Sequence, residues 1–313
     1  MNWITKFIKP KLKTFFKKRP VKNEKSLWTT CSCQQLIFND DLLKNLHVCP
    51  KCEMHHKISC KDRFNIFFDE GNYNILTVPQ PPDDPLQFSD KKRYVDRLKE
   101  ARKLTEQNDA IMIAHGKLNN IDITCGAQNF AFIGGSVGAA SGEAFVNGVQ
   151  YAIDKKTPFI FFSCSGGQRM MESAIALAQM TRTVLAVNEL KKNHLPYIVV
   201  LTNPTTGGVS ASFAMLGDIH IAEKGATIGF AGARVIQQTI AESIPEGFQT
   251  AEYVKEHGGI DLVVQRKNLR DTIGTLLSIL LKKEESKALS ENVKSNTLEE
   301  SIQETPKAVQ QKN

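Results

Sequence analysis

The chain has 313 residues, 41% hydrophobic and 23% charged, which is the composition of a globular protein with one large domain and room for a small module. It contains no run of about 18 apolar residues, so a membrane-spanning helix is excluded. The net charge of +7 is concentrated at the N-terminus, where residues 1–25 hold nine Lys or Arg and one acid.

The basic head, residues 1–27, alternates apolar and basic residues, and Pro10 interrupts the short amphipathic helix that this pattern permits. No uninterrupted apolar segment follows the charges, so a secretory signal is not expected. Two interpretations stay open: a flexible solvated segment, or a surface for an acidic partner, a membrane or nucleic acid. We expect a cytoplasmic protein with reduced cysteines.

Residues 28–60 hold a cysteine cluster that favours a metal site over disulfides. Cys49-Pro50-Lys51-Cys52 is a full Cys-x-x-Cys knuckle, and Cys33 precedes it at a spacing typical of a zinc ribbon. The first knuckle, Cys31-Ser32-Cys33, is one residue short. We expect the ligands Cys31, Cys33, Cys49 and Cys52 to hold one structural Zn²⁺.

The short knuckle leaves alternatives open. Cys31 ligates through a strained turn, or Cys60 replaces it, or zinc is bound weakly or not at all. His55 and His56 are further candidate ligands, although their position just past the second knuckle is typical of surface residues.

Residues 61–283 form the predicted main domain, and residues 284–313 form a polar tail that we expect to be disordered. Four prolines between Pro79 and Pro85 exclude regular structure there. After them, a strand-like run, a glycine pair and a helix-like stretch recur three times, which predicts an α/β fold with a covered sheet. The pairs are Gly134-Gly135, Gly166-Gly167 and Gly207-Gly208, with helices predicted up to Ile153, over 168–192 and over 209–216.

A glycine pair between a strand and a helix frees backbone N–H groups at the positive end of the helix, where phosphate or an oxyanion binds. Tight turns with close packing are the simpler interpretation of any single pair. The sequence lacks a P-loop, a Gly-x-Gly-x-x-Gly run and a Gly-x-Ser-x-Gly elbow. The histidines show no local catalytic signature, which is expected if a cofactor supplies the base.

The run Ser165-Gly166-Gly167-Gln168-Arg169-Met170-Met171-Glu172 resembles the Ser-Gly-Gly-Ala-Arg-Met-Gln-Glu run of biotin-dependent acyl-CoA carboxyltransferases. The segment 203–212 is similar to that family's second glycine-pair segment, and 134–138, 228–236 and the cysteine cluster also fit. The resemblance spans residues 27–281 and is strongest to the β-subunit branch of multisubunit acetyl-CoA carboxylases. Gln168 and Ala233 depart from it, where Ala and Pro are usual.

The resemblance implies a crotonase-like spiral of ββα units behind a zinc ribbon. It implies CO₂ transfer from carboxybiotin, carried on a separate protein, to acetyl-CoA, which gives malonyl-CoA for fatty acid synthesis. The implied partners are an α subunit, in an α₂β₂ arrangement, the biotin carboxyl carrier protein and biotin carboxylase. ATP would bind elsewhere in the complex.

By position in the family's motifs, the resemblance implies that Gly207 and Gly208 hold the thioester enolate oxygen. Gly166 and Gly167 are the implied second contributors to this oxyanion site. The implied lining of the coenzyme A cleft is Gly134, Gly135 and Gly138. By charge and place, Arg169, Arg182 and Arg234 are candidates for binding the phosphates.

Two other functions stay open. A decarboxylase subunit would use the same fold and enolate. A zinc-ribbon nucleic-acid binder is supported by the basic head and by Lys51, Lys57, Lys61 and Arg63. Trp28 and Phe38 are the only rings in the ribbon, which is too few for a stacking platform.

Overall fold

The protein is represented by a computed structural model that describes residues 27–232, 236, 239 and 245–281. The chain divides into two compact units between Met54 and His55. Residues 55–60, which the sequence assigned to the cysteine module, therefore lie with the large unit. The predictions for residues 1–26, for Arg234 and for the tail 284–313 fall outside the described residues. No helix in the described part is long and apolar enough to cross a membrane.

The small unit is a two-stranded antiparallel hairpin followed by one short helix. Strand β1 (Trp28–Thr30) pairs with β2 (Leu36–Phe38), and helix α1 (Asn39–Lys44) follows directly. Its buried core is small and consists of Cys31, Ile37, Leu42 and Cys49. Because half of this core is cysteine, apolar burial alone offers the unit little folding energy.

The large unit alternates strands and helices in chain order. Its strands are β3 (Tyr73–Ile75), β4 (Ile111–Leu118), β5 (Ile121–Gln128), β6 (Phe159–Ser165), β7 (Tyr197–Thr206), β8 (Ile219–Glu223), β9 (Ile228–Gly229) and β10 (Leu262–Val264). Its helices are α2 (Cys60–Phe67), α3 (Tyr94–Thr105), α4 (Ala139–Lys155), α5 (Ser173–Lys192), α6 (Ala251–Glu256) and α7 (Arg266–Leu280).

These strands form one mixed sheet within the described residues. The order is β10-β8-β7-β6-β5-β4-β3, and β9 pairs with β7 beyond the end of β8. Strands β3, β4 and β5 run antiparallel, whereas β5, β6, β7, β8 and β10 are parallel neighbours. The parallel strands place their carboxyl ends, and the loops that follow them, at the same edge of the sheet.

Both faces of the sheet are covered, which explains why the central strands are apolar without alternation. Every residue of β6 is buried. Phe159 and Phe161 pack on one side with residues of α4 and α5, and Ile160 and Phe162 pack on the other side with residues of α2 and α7. The core thus lies in two layers, one on each face of the sheet, and these layers hold the strand ends in place.

The predicted strand–glycine–helix repeat is present in full at the second glycine pair. In the first copy the strand-like run 130–133 forms turns, because β5 has already ended at Gln128. Helix α4 follows the first glycine pair and α5 follows the second, after a short 3-10 turn at Met170–Glu172. The third copy is different: the predicted helix over 209–216 consists of turns that end in a 3-10 segment, Phe213–Met215. The third glycine pair therefore begins a short turn, and its N–H groups are not followed by a long helix.

Candidate functional site

The four cysteines of the small unit converge on one point. Their sulfur atoms all lie within 4.8 Å of one another, with 3.6 Å between Cys31 and Cys52 and 3.8 Å between Cys33 and Cys49. A tetrahedron with Zn–S bonds near 2.3 Å needs sulfur atoms about 3.8 Å apart. The donor set and its spacing fit a structural Zn²⁺.

The shortened first knuckle delivers both of its thiols through a tight turn. Gln34 donates its N–H to the carbonyl of Cys31, and Cys31 donates to the carbonyl of Gln35, each at 2.9 Å. Gln34 is in the left-handed region, as is Glu53 after the second knuckle. The two knuckles therefore end in the same backbone conformation, although one has a residue fewer.

The thiols influence one another strongly without a metal. Burial raises the pKa of Cys31, but hydrogen bonds from the Cys33 backbone and from the neighbouring thiols lower it to about 6. For Cys52 the Met54 backbone lowers the pKa, yet burial and the other thiols raise it to about 12. One thiolate thus opposes the ionisation of another, and a divalent cation removes that repulsion.

The alternative ligands are not part of this cluster. Cys60 lies at the start of α2, where its buried thiol donates to the carbonyl of Ala127 at 3.1 Å. His55 and His56 are absent from the metal-ligand group formed by the described residues. The expectation that both are surface residues is wrong for His55, which is buried beside Glu223.

In the large unit, strand register brings the second and third glycine pairs together. Ser165 of β6 is paired with Thr205 of β7, so each pair follows its strand at the same sheet edge. A side chain on Gly207 would meet the carbonyl oxygen of Gly166 and the Cα of Gly167, each at 3.1 Å. Gly207 and Gly167 also have positive φ angles of 66° and 122°. These two positions require glycine for close approach and for backbone conformation.

Most N–H groups of the predicted glycines already have partners. Gly166 donates to Gly134 at 3.0 Å, Gly207 donates to Phe230 at 2.9 Å, and Gly167 donates to the hydroxyl of Ser165 at 3.0 Å. In the described chain the N–H of Gly208 has no hydrogen-bond partner. Of the four glycines that the sequence proposed for an oxyanion, Gly208 is the one whose N–H is available to a ligand.

Gly208 opens a helix-like turn. Ala211 donates to the carbonyl of Gly207 at 3.0 Å, which places Gly208 at the first position of the turn, where N–H groups have no partner within the turn. A second unpartnered N–H lies across from it at Gln168, between Gly167 and Arg169, whose backbone groups bond to Val137. Gln168 was not among the oxyanion donors that the sequence proposed, because no side-chain pattern marks a backbone N–H.

The side chain of Gln168 covers Gly208. Oriented with its amide nitrogen toward the carbonyls of Val137 and Ala176, it donates to them at 2.9 Å and 3.0 Å. A Cβ on Gly208 would lie 2.6 Å from Cγ of Gln168 and 3.0 Å from Sδ of Met180. The wall beside Gly208 is therefore made of two flexible side chains that depend on glycine for their place.

Arg169 has a different place from the one that the sequence predicted. It is 1% exposed, and its guanidinium forms a bidentate ion pair with Asp109 at 2.7 and 2.8 Å and contacts Glu172 at 3.2 Å. It also donates to the hydroxyl of Tyr94 and to Ser136. No N–H of this guanidinium is left for a coenzyme A phosphate, so the assignment of Arg169 to phosphate binding is wrong for this structure.

This buried cluster ties the first two loops to helix α4. Burial lowers the pKa of Arg169, but Asp109 outweighs it, with Tyr94 and Glu172, and holds the pKa well above its usual range. Glu172 in turn accepts the N–H of Ala139, the first residue of α4, at 2.6 Å. The carboxylate thus occupies the positive end of that helix, which excludes a ligand phosphate from it.

The remaining candidates separate into packing and exposed positions. A Cβ on Gly135 would overlap the carbonyl oxygen of Cys164, and one on Gly138 would overlap the carboxylate of Glu172. Gly134 meets nothing within 4 Å and has a φ of 66°. Arg182 pairs with Glu143 at 2.6 Å on the surface. Gly134 is therefore the member of the first pair that is open to a ligand.

Comparison with known families gives two matches in chain order. The family model described as carboxyl transferase domain matches residues 88–311, and the model described as acetyl-CoA carboxylase zinc finger domain matches residues 28–52. The second match coincides with the cysteine unit.

Curated relatives match nearly the full length. The acetyl-coenzyme A carboxylase carboxyl transferase subunit beta of Pelagibacter ubique is 55% identical over 93% of this chain and 96% of its own. The protein of the same description from Methylobacterium sp. (strain 4-46) is 49% identical over 90% of this chain and 92% of its own.

Solved structures share the fold at lower identity. The Pseudomonas malonate decarboxylase MdcD-MdcE heterodimer has a TM-score of 0.55 at 21% identity and covers 72% of this chain and 86% of that one. The transcarboxylase 12S structure has a TM-score of 0.58 at 24% identity and covers 71% of this chain and 41% of that one. Together with the family matches, these confirm the predicted crotonase-like α/β class with an N-terminal Cys₄ module.

We expect zinc removal to unfold the small unit alone, because metal ligation supplies most of its folding energy. After chelation, backbone hydrogen exchange should lose its protection over residues 28–52 and keep it in β6 and β7. Zinc content should fall from about one per chain in Cys31→Ser and stay unchanged in Cys60→Ser. Loss of protection in the central sheet after chelation would contradict this.

We expect Gly134→Ala and Gly135→Ala to differ sharply, although both residues have nearly the same positive φ, 66° and 64°. Alanine at either position costs about 1–2 kcal/mol for the left-handed conformation. Only Gly135→Ala adds an overlap with the Cys164 carbonyl, so it should lower stability by several kcal/mol more or prevent folding. Urea denaturation measures both, and equal losses would refute the close approach.

Proposed function

The chain belongs to the family of acetyl-CoA carboxylase carboxyl transferase β subunits, and from that membership we propose how its described residues perform the transfer. The protein is the carboxyltransferase β subunit of acetyl-CoA carboxylase, with a Cys₄ module suited to structural zinc. In our proposal it binds acetyl-CoA and holds the acyl group while its α-carbon becomes a nucleophile. Carboxybiotin, brought by a carrier protein, supplies the CO₂ and the base that removes the α-proton.

We propose that the N–H of Gly208 holds the thioester oxygen as it becomes an enolate. Its support is the free N–H at the first position of a turn, at the place where two glycine segments approach each other. Such a donor costs no reorganisation when negative charge develops, because the turn is already formed. This unpartnered N–H is the single observation that carries the proposal.

The N–H of Gln168 is the proposed second donor. It is unpartnered in the described chain, and its side chain lies against Gly208, so the two residues border the same space. Gly166, Gly167 and Gly207 then act by shape: their own N–H groups are bonded internally, and the absence of side chains keeps the approach to Gly208 open. The proposal thus keeps both glycine pairs in the site but gives the donating N–H to one residue of each loop.

A partner surface follows from helix α5, which is apolar on two sides. One side packs into the core through Ala176, Ala186, Val187 and Leu190. The opposite side exposes Leu177, Val184 and Leu185, and Met170 precedes it with 79% of its surface exposed. Exposed apolar side chains grouped on one side of a helix normally mark a contact surface. We propose that the α subunit covers it and completes the site beside Met180 and Gly208.

The wider assembly is proposed from the family. The β subunit would act with the α subunit, the biotin carboxyl carrier protein and biotin carboxylase, as an α₂β₂ carboxyltransferase in the cytoplasm. Coenzyme A would approach along Gly134, the open member of the first glycine pair. The decarboxylase alternative is supported by the fold alone, whereas the relatives at 49–55% identity are all carboxylase subunits.

We expect turnover only when both subunits are present. The reverse reaction, malonyl-CoA with biocytin, should release acetyl-CoA from the α–β mixture and from neither subunit alone. Leu177→Asp should abolish turnover and co-elution with the α subunit, because it places a charge on the proposed contact. Leu104→Asp, at a leucine of α3 that is more exposed than Leu177, should change neither. Turnover by this chain alone would refute the split site.

We expect the N–H of Gly208 to carry most of the enolate stabilisation. In a Gln168→Ala background, which makes room for a Cβ, Gly208→Ala keeps the N–H and Gly208→Pro removes it. Proline is tolerated at the first position of a helical turn. The proline variant should lose about 10²–10³-fold in kcat relative to the alanine variant. Equal rates in two folded variants would show that this N–H does not stabilise the enolate.

A further inference from the structure

A buried ion-pair network lies beside the loop that carries Gln168. The side chain of Arg169 is fully buried, and those of Asp109 and Glu172 are 5% and 7% exposed. Taking such charges out of water costs free energy that their attraction only partly returns, and apolar side chains of similar volume often replace a buried ion pair without loss of stability. Stability alone therefore explains this network poorly, and its contacts indicate what it holds in place.

The backbone on both sides of Gln168 is bonded to one residue of the neighbouring loop. Val137 donates its N–H to the carbonyl of Gly167 at 3.0 Å, and Arg169 donates its N–H to the carbonyl of Val137 at 2.9 Å. These two bonds form a parallel β-bridge between Val137 and Gln168. In such a bridge the residue between the two bonded neighbours directs its own N–H to the opposite side. The N–H of Gln168 therefore points away from Val137, and the bridge sets its direction.

The guanidinium of Arg169 holds the same bridge through its side chain. Its Nη2 donates to the carbonyl of Ser136 at 2.7 Å, and its Nε donates to the hydroxyl of Ser136 at 3.3 Å. Ser136 directly precedes Val137, which accepts the backbone N–H of Arg169. Arg169 thus binds two successive residues of the neighbouring loop, one by its side chain and one by its backbone. These bonds together fix the orientation of the peptide that carries the N–H of Gln168.

Asp109 fixes the guanidinium in turn. It accepts from both terminal nitrogens at 2.7 and 2.8 Å, and a bidentate pair of this kind permits one relative orientation. Its Oδ1 also accepts the N–H of Ala110 at 2.8 Å and the hydroxyl of Ser141, which lies in the first turn of α4. Ala110 directly precedes β4. The orientation of the guanidinium is therefore set by the sheet and by helix α4, and not by the loop that it holds.

We propose that Arg169, oriented by Asp109, is a positioning residue that directs the N–H of Gln168 toward the enolate oxygen. The inference rests on the donor function proposed above for that N–H. Arg169 acts through the backbone, because its Nε, Nη1 and Nη2 all donate to groups of the protein. A misdirected donor weakens the binding of charge that develops in the transition state more than the binding of the neutral thioester. Loss of positioning therefore lowers kcat and leaves KM nearly unchanged.

The first test measures kcat and KM of Arg169→Lys in the α–β mixture with malonyl-CoA and biocytin. Lysine keeps a positive charge for Asp109 but lacks the planar fork that also reaches Ser136. We expect kcat to fall by about tenfold or more and KM for malonyl-CoA to change by less than about threefold. Arg266→Lys is the matched control, because Arg266 has a side chain only 2% exposed and pairs with Glu223 through two nitrogens at 2.6 and 2.8 Å. It should lose a similar amount of melting temperature and keep kcat.

A double-mutant cycle separates positioning from a general loss of structure. Gln168→Ala keeps the backbone N–H, whereas Gln168→Pro removes it, and proline is tolerated where the N–H of a strand faces away from its partner. In the alanine background, Arg169→Lys should again lower kcat by about tenfold or more. In the proline background it should have little effect on kcat, because no N–H remains to be positioned.

The outcomes of the cycle distinguish the positioning role from the donor function on which it rests. Equal kcat values for Gln168→Ala and Gln168→Pro would overturn the donor function of Gln168, and the positioning role with it. A lower kcat in the proline variant, together with an unchanged kcat in Arg169→Lys or an equal loss in both backgrounds, would overturn the positioning role alone. The same loss of kcat in Arg266→Lys would do so as well.

Discussion

The parallel register of β6 and β7 is the constraint on which the site depends. Because Ser165 lies opposite Thr205, the two glycine pairs leave their strands at the same height and on the same edge. A shift of one residue would turn Phe159 and Phe161 away from the helices that cover them. That packing fixes the register as far as Ser163, which lies opposite Leu201. Beyond it the register shifts, and the pairing of Ser165 with Thr205 sets where the loops that border Gly208 leave the sheet.

Hydrogen bonding then decides which N–H groups remain for chemistry. The loop after β6 is held where Gly166 donates to the carbonyl of Gly134, Gly167 donates to the hydroxyl of Ser165 and Arg169 donates to the carbonyl of Val137. The loop after β7 is held where Gly207 donates to Phe230. Each loop uses most of its donors to fix its own conformation. The donors that remain, on Gly208 and Gln168, are consequently rigid, and rigid donors are the ones that favour a transition state over a ground state.

Much of the fold and of the candidate site could be predicted from the sequence, and the features that could not be predicted have physical causes. The buried strands before the second and third glycine pairs and the four clustered cysteines are local patterns, and the structure places them as predicted, whereas the strand-like run 130–133 forms turns. The short knuckle was ambiguous because ligand geometry depends on backbone torsions at Gln34 that spacing does not encode. The strand β7 extends through Thr206, five residues past its apolar run, because its end pairs with β6 and β9.

Long-range contacts account for the other differences. Arg169 follows a glycine pair and seemed placed for a ligand, but its partner Asp109 lies 60 residues away in the chain. His55 seemed a surface residue because Glu223, which lies against it, is far along the sequence. Neither contact leaves a local pattern.

Because the proposed donors are backbone N–H groups, some positions of the site tolerate a different side chain and others do not. A side chain at position 168 changes without loss of its N–H, so glutamine in place of the usual alanine leaves the donor intact and alters only the wall beside Gly208. Gly207 has no such freedom, because a Cβ there would press on the Gly166 carbonyl and strain a φ of 66°. Side-chain identity is therefore free at the proposed donor Gln168 and constrained at Gly207 and Gly208. This is why the site is recognised from its glycines, while the N–H groups that we propose as donors have no residue signature of their own.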